Sequence, residues 1–206
     1  MKILIAQPRI EKEITQLKDA VITHPEVDIF LFPEGYISNS HKLLDVQKLA
    51  DENNKIIISS YRNNSKDIAV VIDQQGEIIY SRDKTGSSPN EKLVPPLNFK
   101  VDKYQVGYIL CMEILKGYRD FYTDIQLDII FHPIGVGMFS EEQLEEWLEA
   151  AKKLAIKAKC KVIGTSHADG SYRNCGVSIP IAYMIDEYGK VLFLSKNNTK
   201  SNIVEI

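Results

Sequence analysis

The sequence predicts an α/β chain in which two sheets face one another with helices outside, a layered sandwich rather than a plain doubly wound sheet. Three observations carry that prediction. Short β-branched and apolar runs of strand length recur throughout, and helical patterns separate several of them. A pattern of apolar strand, Asp-x-x-Gly, apolar strand then appears once in each half of the chain, which suggests two similar halves.

Taken in order, the strands are "KILIAQ" at 2–7, "DIFLF" at 28–32, "KIIISS" at 55–60, "IAVVID" at 68–73, "VGYILC" at 106–111, "LDIIFHP" at 127–133 and "KVIGTS" at 161–166. Helical patterns fall at 10–23, 41–54 and 140–159. In the last of these Leu144, Trp147, Leu148, Ala151, Leu154, Ala155 and Ala158 form an apolar stripe, and Ser140 with Gln143 reads as a capping box. The two hairpins are "VVIDQQGEIIY" at 70–80 and "AYMIDEYGKVLF" at 182–193, where Gly76 and Gly189 supply the positive φ of a tight turn. Residues 84–98 are rich in Pro, Ser and Gly and read as a functional loop, and nothing splits residues 1–206 into more than one domain.

Composition narrows the function classes. The chain of 206 residues is 44% hydrophobic and 26% charged with a formal net charge of −3, so no strong field selects nucleic acid or an anionic membrane as partner. Small molecules or proteins remain. Three cysteines, Cys111, Cys160 and Cys175, form no CxxC pair and no even-numbered framework, which predicts free thiols in a reducing compartment. The opening "MKILIAQPRI" lacks the features of a signal peptide, no apolar run reaches membrane-span length, and the expected location is cytoplasmic.

Three side chains stand out as chemistry. Glu34 in "FLFPEGY" follows a strand that ends at Pro33, which cannot donate to a ladder. Cys111 ends "QVGYILC" and should lie at the carboxyl end of a sheet strand, where open α/β folds place ligands. Lys84 follows the first hairpin in "YSRDKTG". Each has a plainer reading: a strand terminator, a packed core thiol, a solvated surface charge. As a set they suit amide hydrolysis, which requires a nucleophile, a proton shuttle and stabilisation of an oxyanion.

In order and setting, "FLFPEGY", "YSRDKTG" and "VGYILCME" resemble the glutamate, lysine and cysteine segments of the carbon–nitrogen hydrolase (nitrilase) superfamily. The resemblance runs nearly end to end. "IAQP" is similar to that family's first strand, "LDIIFHP" to the strand after its cysteine, 147–162 to its long helix and following strand, and "GVSIPIAYMIDEYGKVL" to its late hairpin. It implies a four-layer α-β-β-α sandwich of the carbon–nitrogen hydrolase type and an amidase-like enzyme. Cys111 would be the nucleophile and Glu34 the proton shuttle, with Lys84 beside the oxyanion together with the backbone N–H of Met112. Glu91 in "NEKLVPPLN" matches the place of the family's second glutamate, although "PP" stands where "PG" is usual.

Tyr36 and His132 are candidates to line the substrate site, or else ordinary packing residues. The four histidines show no ligand spacing, and the chemistry requires neither metal nor other cofactor. The implied partners are a small amide, carbamoyl or nitrile-type substrate and, as in the family, a second copy in a homodimer. The chain departs from the family in a short Lys84–Cys111 interval, in "LKG" after the cysteine segment and in Lys157 where a glutamate is customary. Those departures bear on substrate identity and keep open a binding or regulatory protein that retains the fold; acyl transfer to an amine is a second alternative, which sequence does not separate from hydrolysis.

Overall fold

The computed structural model describes residues 1–206 except 65, 87, 89, 90, 94–98, 122, 123 and 173, and describes only the backbone of residue 118. The strands are β1 (Lys2–Ile5), β2 (Ile29–Leu31), β3 (Ile56–Asn63), β4 (Lys66–Ile72), β5 (Ile78–Asp83), β6 (Phe99–Val101), β7 (Tyr104–Tyr108), β8 (Ile129–Ile134), β9 (Lys161–Ser166), β10 (Ile181–Ile185), β11 (Val191–Lys196) and β12 (Asn202–Glu205). The helices are α1 (Thr15–Thr23), α2 (Ser40–Asn53), α3 (Ile114–Asp120) and α4 (Glu141–Ala158), with a 3₁₀ turn over Cys111–Glu113.

The strands form two sheets of six, ordered β12-β1-β2-β3-β4-β5 and β6-β7-β8-β9-β10-β11. In the first, β1, β2 and β3 run parallel through crossover helices α1 and α2, and β4 and β5 follow as antiparallel hairpins. The second repeats the plan with β7, β8 and β9 parallel through α3 and α4, then β10 and β11 antiparallel. Each sheet begins with one antiparallel strand, β12 against β1 and β6 against β7. The two halves suggested by the repeated hairpin are therefore two copies of one topology. Neither β6 nor β12 is among the strands read from the sequence.

Alternation of side chains assigns the layers. Ile3, Ile5, Ile29, Leu31, Ile56 and Ile58 meet Val106, Tyr108, Leu110, Ile129, Phe131 and Ile163 between the sheets. Leu4, Phe30 and Ile57, one residue out of phase, face α1 and α2. Ile130 and Val162 face α4 with Leu144, Trp147, Leu148 and Leu154. Three apolar seams separate four layers, and strands buried on both faces read as unbroken apolar runs.

The helix boundaries show what the patterns captured. The side chain of Asn39 caps α2 by accepting from Lys42 N at 3.0 Å, and Ser140 caps α4 by accepting from Gln143 N at 3.2 Å. Gln143 Oε1 returns to Phe139 N at 2.7 Å, one residue earlier than the predicted box requires. Helix α1 covers only the second half of the predicted 10–23. Ahead of it the side chain of Gln16 accepts from Arg9 N, and Asp169 accepts from Ile10 N. Among the described residues no helix is long and apolar enough to cross a membrane.

The two hairpin turns are built alike. Asp73 Oδ1 accepts from Gln75 N and Glu77 N, and Asp186 Oδ1 accepts from Tyr188 N and Lys190 N. Gly76 has φ 73° and Gly189 φ 80°, so alanine at either position costs about 1–2 kcal/mol in backbone strain. Their surroundings differ. A Cβ at Gly76 would stand 2.6 Å from the backbone oxygen of Gln47, whereas at Gly189 it would meet the movable Cδ1 of Ile156 at 2.8 Å. Urea unfolding should show Gly76→Ala more destabilising than Gly189→Ala, and equal losses would remove the distinction drawn here.

Candidate active site

Strands β2, β5 and β7 all deliver their last residues to the same end of the sandwich. After β2, Phe32 continues the ladder by donating to Ile58 O, and Pro33 then ends it. Gly35, at φ 72°, donates to Ser60 Oγ at 2.7 Å, turning the chain so that Glu34 is left 6% exposed at the rim. Lys84 follows β5 and its backbone N donates to Asp67 O. Its Nζ lies 2.7 Å from Glu34 Oε1.

Cys111 comes from the other sheet. After β7, Ile109 N still donates to Phe131 O, and the chain then turns into the 3₁₀ segment with Cys111 at φ 50°. A residue with a Cβ in this left-handed region is strained, and such strain gathers where a side chain must be aimed. The thiol lies beside the Glu34 carboxylate and the backbone N–H of Gly135, close enough for both to act on its proton. A Cβ at Gly135 would come within 2.8 Å of Glu34 Oε2, so no larger residue fits beside the carboxylate. Carboxylate, ammonium and sulfur thus converge from three strand ends far apart in sequence.

The electrostatics follow from burial. Loss of water raises Glu34 above the ordinary glutamate value, and the Lys84 charge offsets only part of that rise. Burial alone would lower Lys84, but negative charge on Cys111, when the thiolate forms, and on Glu34 outweighs it and raises the ammonium. Burial and the Glu34 charge both raise Cys111, so the resting thiol keeps its proton.

A second, more deeply buried pair lies alongside. Arg82 of β5 grips Glu113 of the 3₁₀ turn with both ends of its guanidinium, Nη1 to Oε1 at 2.7 Å and Nη2 to Oε2 at 2.5 Å. Glu113 also accepts from Thr85 N at 2.7 Å and Leu110 N at 2.6 Å, and Tyr80 OH accepts from Arg82 Nε at 2.9 Å. Burial would raise Glu113, but the guanidinium and these N–H donors hold it below the ordinary glutamate value. This carboxylate fastens both chain neighbours, Thr85 after Lys84 and Leu110 before Cys111. The sequence reading did not single out Arg82; it stands two residues before the lysine, and its alternation on β5 points it inward.

Of the remaining predicted residues, Glu91 and Tyr36 stand apart from the cluster, while His132 and Met112 adjoin the Cys111 turn. Glu91 is exposed, with its carboxylate against Gly86, and among the described residues no ion pair joins it to Lys84. The "PP" that follows it falls outside the described residues. Tyr36 is 1% exposed and does not open onto the cluster: its hydroxyl accepts from Leu17 N at 2.9 Å and donates to Glu11, capping the start of α1. His132 is wholly buried behind the Cys111 turn, with Nε2 2.8 Å from Cys111 O and Nδ1 bonded to Tyr183 OH. Met112 is 50% exposed at the turn.

No family model and no curated protein matches the chain by sequence. Solved structures do match it by fold. A glutamine mutant of the amidase from Nesterenkonia sp. AN1, carrying the acetamide moiety of fluoroacetamide on its active-site cysteine, aligns with a TM-score of 0.82 at 13% identity, covering 100% of this chain and 90% of that one. A carbon–nitrogen hydrolase from Helicobacter pylori G27 aligns at 0.76 and 14% identity over 100% and 89%. XC1258 from Xanthomonas campestris, a CN-hydrolase superfamily protein with an arsenic adduct in its active site, aligns at 0.74 and 14% identity over 99% and 89%. The fold is the α-β-β-α sandwich of the carbon–nitrogen hydrolases.

Removing one partner from a buried ion pair leaves the other uncompensated. Glu113→Gln should therefore cost about 3–5 kcal/mol in urea unfolding at neutral pH. Because Glu113 is lowered on folding, its contribution is present above about pH 4.3 and is lost as pH falls through the lower folded value. The wild type should lose this increment across that window and the variant should not; parallel pH curves would contradict the assignment.

Proposed function

We propose that the protein is a thiol-dependent hydrolase that cleaves a non-peptide carbon–nitrogen bond in a small amide, carbamoyl compound or nitrile. The observation that carries the reading is the meeting of Lys84 Nζ, 2.7 Å from Glu34 Oε1, with the Cys111 thiol that lies beside the same carboxylate. The likeness in fold to amidases with a modified active-site cysteine supports it.

The chemistry proceeds from a resting state of protonated thiol and paired Glu34–Lys84. As the substrate carbonyl arrives, Glu34 takes the thiol proton and the negative charge passes from carboxylate to sulfur. Lys84 stands beside both, so this transfer separates no charge, and a thiolate next to an ionised carboxylate is avoided. Sulfur adds to the carbonyl carbon, and the oxyanion that forms is met by the Lys84 ammonium and by the backbone N–H of Met112. Glu34 returns the proton to the nitrogen, the amine or ammonia leaves, and a thioester remains. Glu34 next takes a proton from water, hydroxide adds to the thioester, and collapse frees the acid and the thiol. The left-handed turn at Cys111 serves this sequence by fixing the direction of its side chain beside Glu34.

The test is ammonia release from a panel of small amides, carbamoyl compounds and nitriles. Cys111→Ala should abolish it, and Glu34→Gln should lower it by about 10²–10⁴-fold. Since burial raises Glu34, kcat/KM should fall on the acid side with a midpoint above about 4.3, as the carboxylate gains a proton and can no longer accept one. Near-normal turnover by either variant would end the reading. Iodoacetamide with mass spectrometry separates it from a fold without chemistry: burial raises both thiols, but Cys111 should alkylate faster than Cys160 because Glu34 stands beside it to take its proton.

A further inference from the structure

The peptide between Cys111 and Met112 is held from behind. Its carbonyl accepts from Ile114 N within the 3₁₀ turn and from the imidazole of His132, whose Nε2 lies 2.8 Å away. A carbonyl only accepts, so Nε2 carries the ring proton and Nδ1 is left as acceptor for the Tyr183 hydroxyl. The tautomer is thereby set by its neighbours. Both rings are confined: His132 stacks on Trp147 of α4 at a centroid distance of 6.0 Å and an interplanar angle of 20°. Tyr183 lies over Gly164 of β9, where any Cβ would come within 2.6 Å of its ring. Neither ring is more than 1% exposed. Burial also lowers His132 to about 4, so the ring is neutral at physiological pH.

In a trans peptide the C=O and N–H point in opposite directions. A grip on the Cys111 oxygen from inside the fold therefore turns the Met112 N–H outward, on the side of the half-exposed Met112 side chain. We infer that His132, oriented by Tyr183, is a positioning residue that fixes the Cys111–Met112 peptide, and so sets both the strained aim of the sulfur and the direction of the N–H that meets the oxyanion. This rests on the hydrolase reading above, and assigns to a buried pair a role in that chemistry without contact with substrate.

The test substitutes the ring while leaving its volume. In His132→Phe, alkylation of Cys111 by iodoacetamide should slow by about 10- to 100-fold, with Cys160 still protected and Cys175 reacting as in the wild type. On a small amide that the wild type hydrolyses, kcat should fall by a similar factor and KM should stay unchanged, because oxyanion stabilisation acts only in the transition state. His132→Gln, which restores an N–H near the position of Nε2, should recover most of both rates. A loosened core would instead speed alkylation of Cys111 and expose Cys160. A folded His132→Phe variant that alkylates as fast as the wild type, or faster, overturns the inference. If His132→Phe does not fold, Tyr183→Phe decides, with a several-fold slowing expected and an unchanged rate overturning it. A wild-type Cys111 that reacts no faster than Cys160 overturns the hydrolase reading itself, and is recognised before any variant is made.

Discussion

The Glu34–Lys84 contact is the constraint on which the rest of the site depends. Out of water each group alone would shed its charge, the acid by holding a proton and the amine by losing one. Paired at 2.7 Å in a poorly solvated rim, each offsets part of what burial costs the other's charge. That pairing demands that the ends of β2 and β5 meet although β3 and β4 lie between them in the sheet. The turn at Pro33–Gly35 and the extension of β5 past its last ladder residue close that distance.

The two buried ion pairs divide the work. Glu34–Lys84 lies wholly within the first sheet and faces the thiol. Arg82–Glu113 crosses between the sheets and faces nothing but protein, with both guanidinium arms and both carboxylate oxygens engaged. Other ties run the same way across the central seam: Tyr108 OH donates to Ser59 O at 2.6 Å, and Thr165 Oγ1 donates to Ala6 O. The apolar seam gives the sheets their attraction but no fixed alignment, since hydrophobic contact is not directional. Directional bonds at its edges supply the register that a three-residue cluster drawn from two sheets needs.

Much of this was legible in the amino-acid order, and the part that was not has a common cause. Runs such as "KIIISS" and the paired Asp-x-x-Gly turns report local geometry, so the sheets and the halves could be read. Glu34, Lys84 and Cys111 were readable because each breaks a local pattern at a strand end. Arg82 and Glu113 sit within patterns that surface residues also follow, and only the opposed sheet makes them partners. His132 and Tyr36 read as rim residues because their neighbours in sequence reach the rim. Their side chains point the other way, one to a backbone carbonyl and one to a helix start. Residues 10–14 carried helical spacing, but α1 begins only at Thr15, after a stretch whose Arg9 N and Ile10 N are bound by the side chains of Gln16 and Asp169.

The strand β12 belongs by chain order to the half that builds the second sheet, yet it completes the first by pairing with β1. The halves are thus buckled together rather than merely stacked. A nick in the segment joining β5 to β6 would leave two fragments still clasped by this strand, whereas severing the chain just before β12 would unfasten the clasp. Reconstitution of split polypeptides should therefore depend on which side of the cut the last strand travels with.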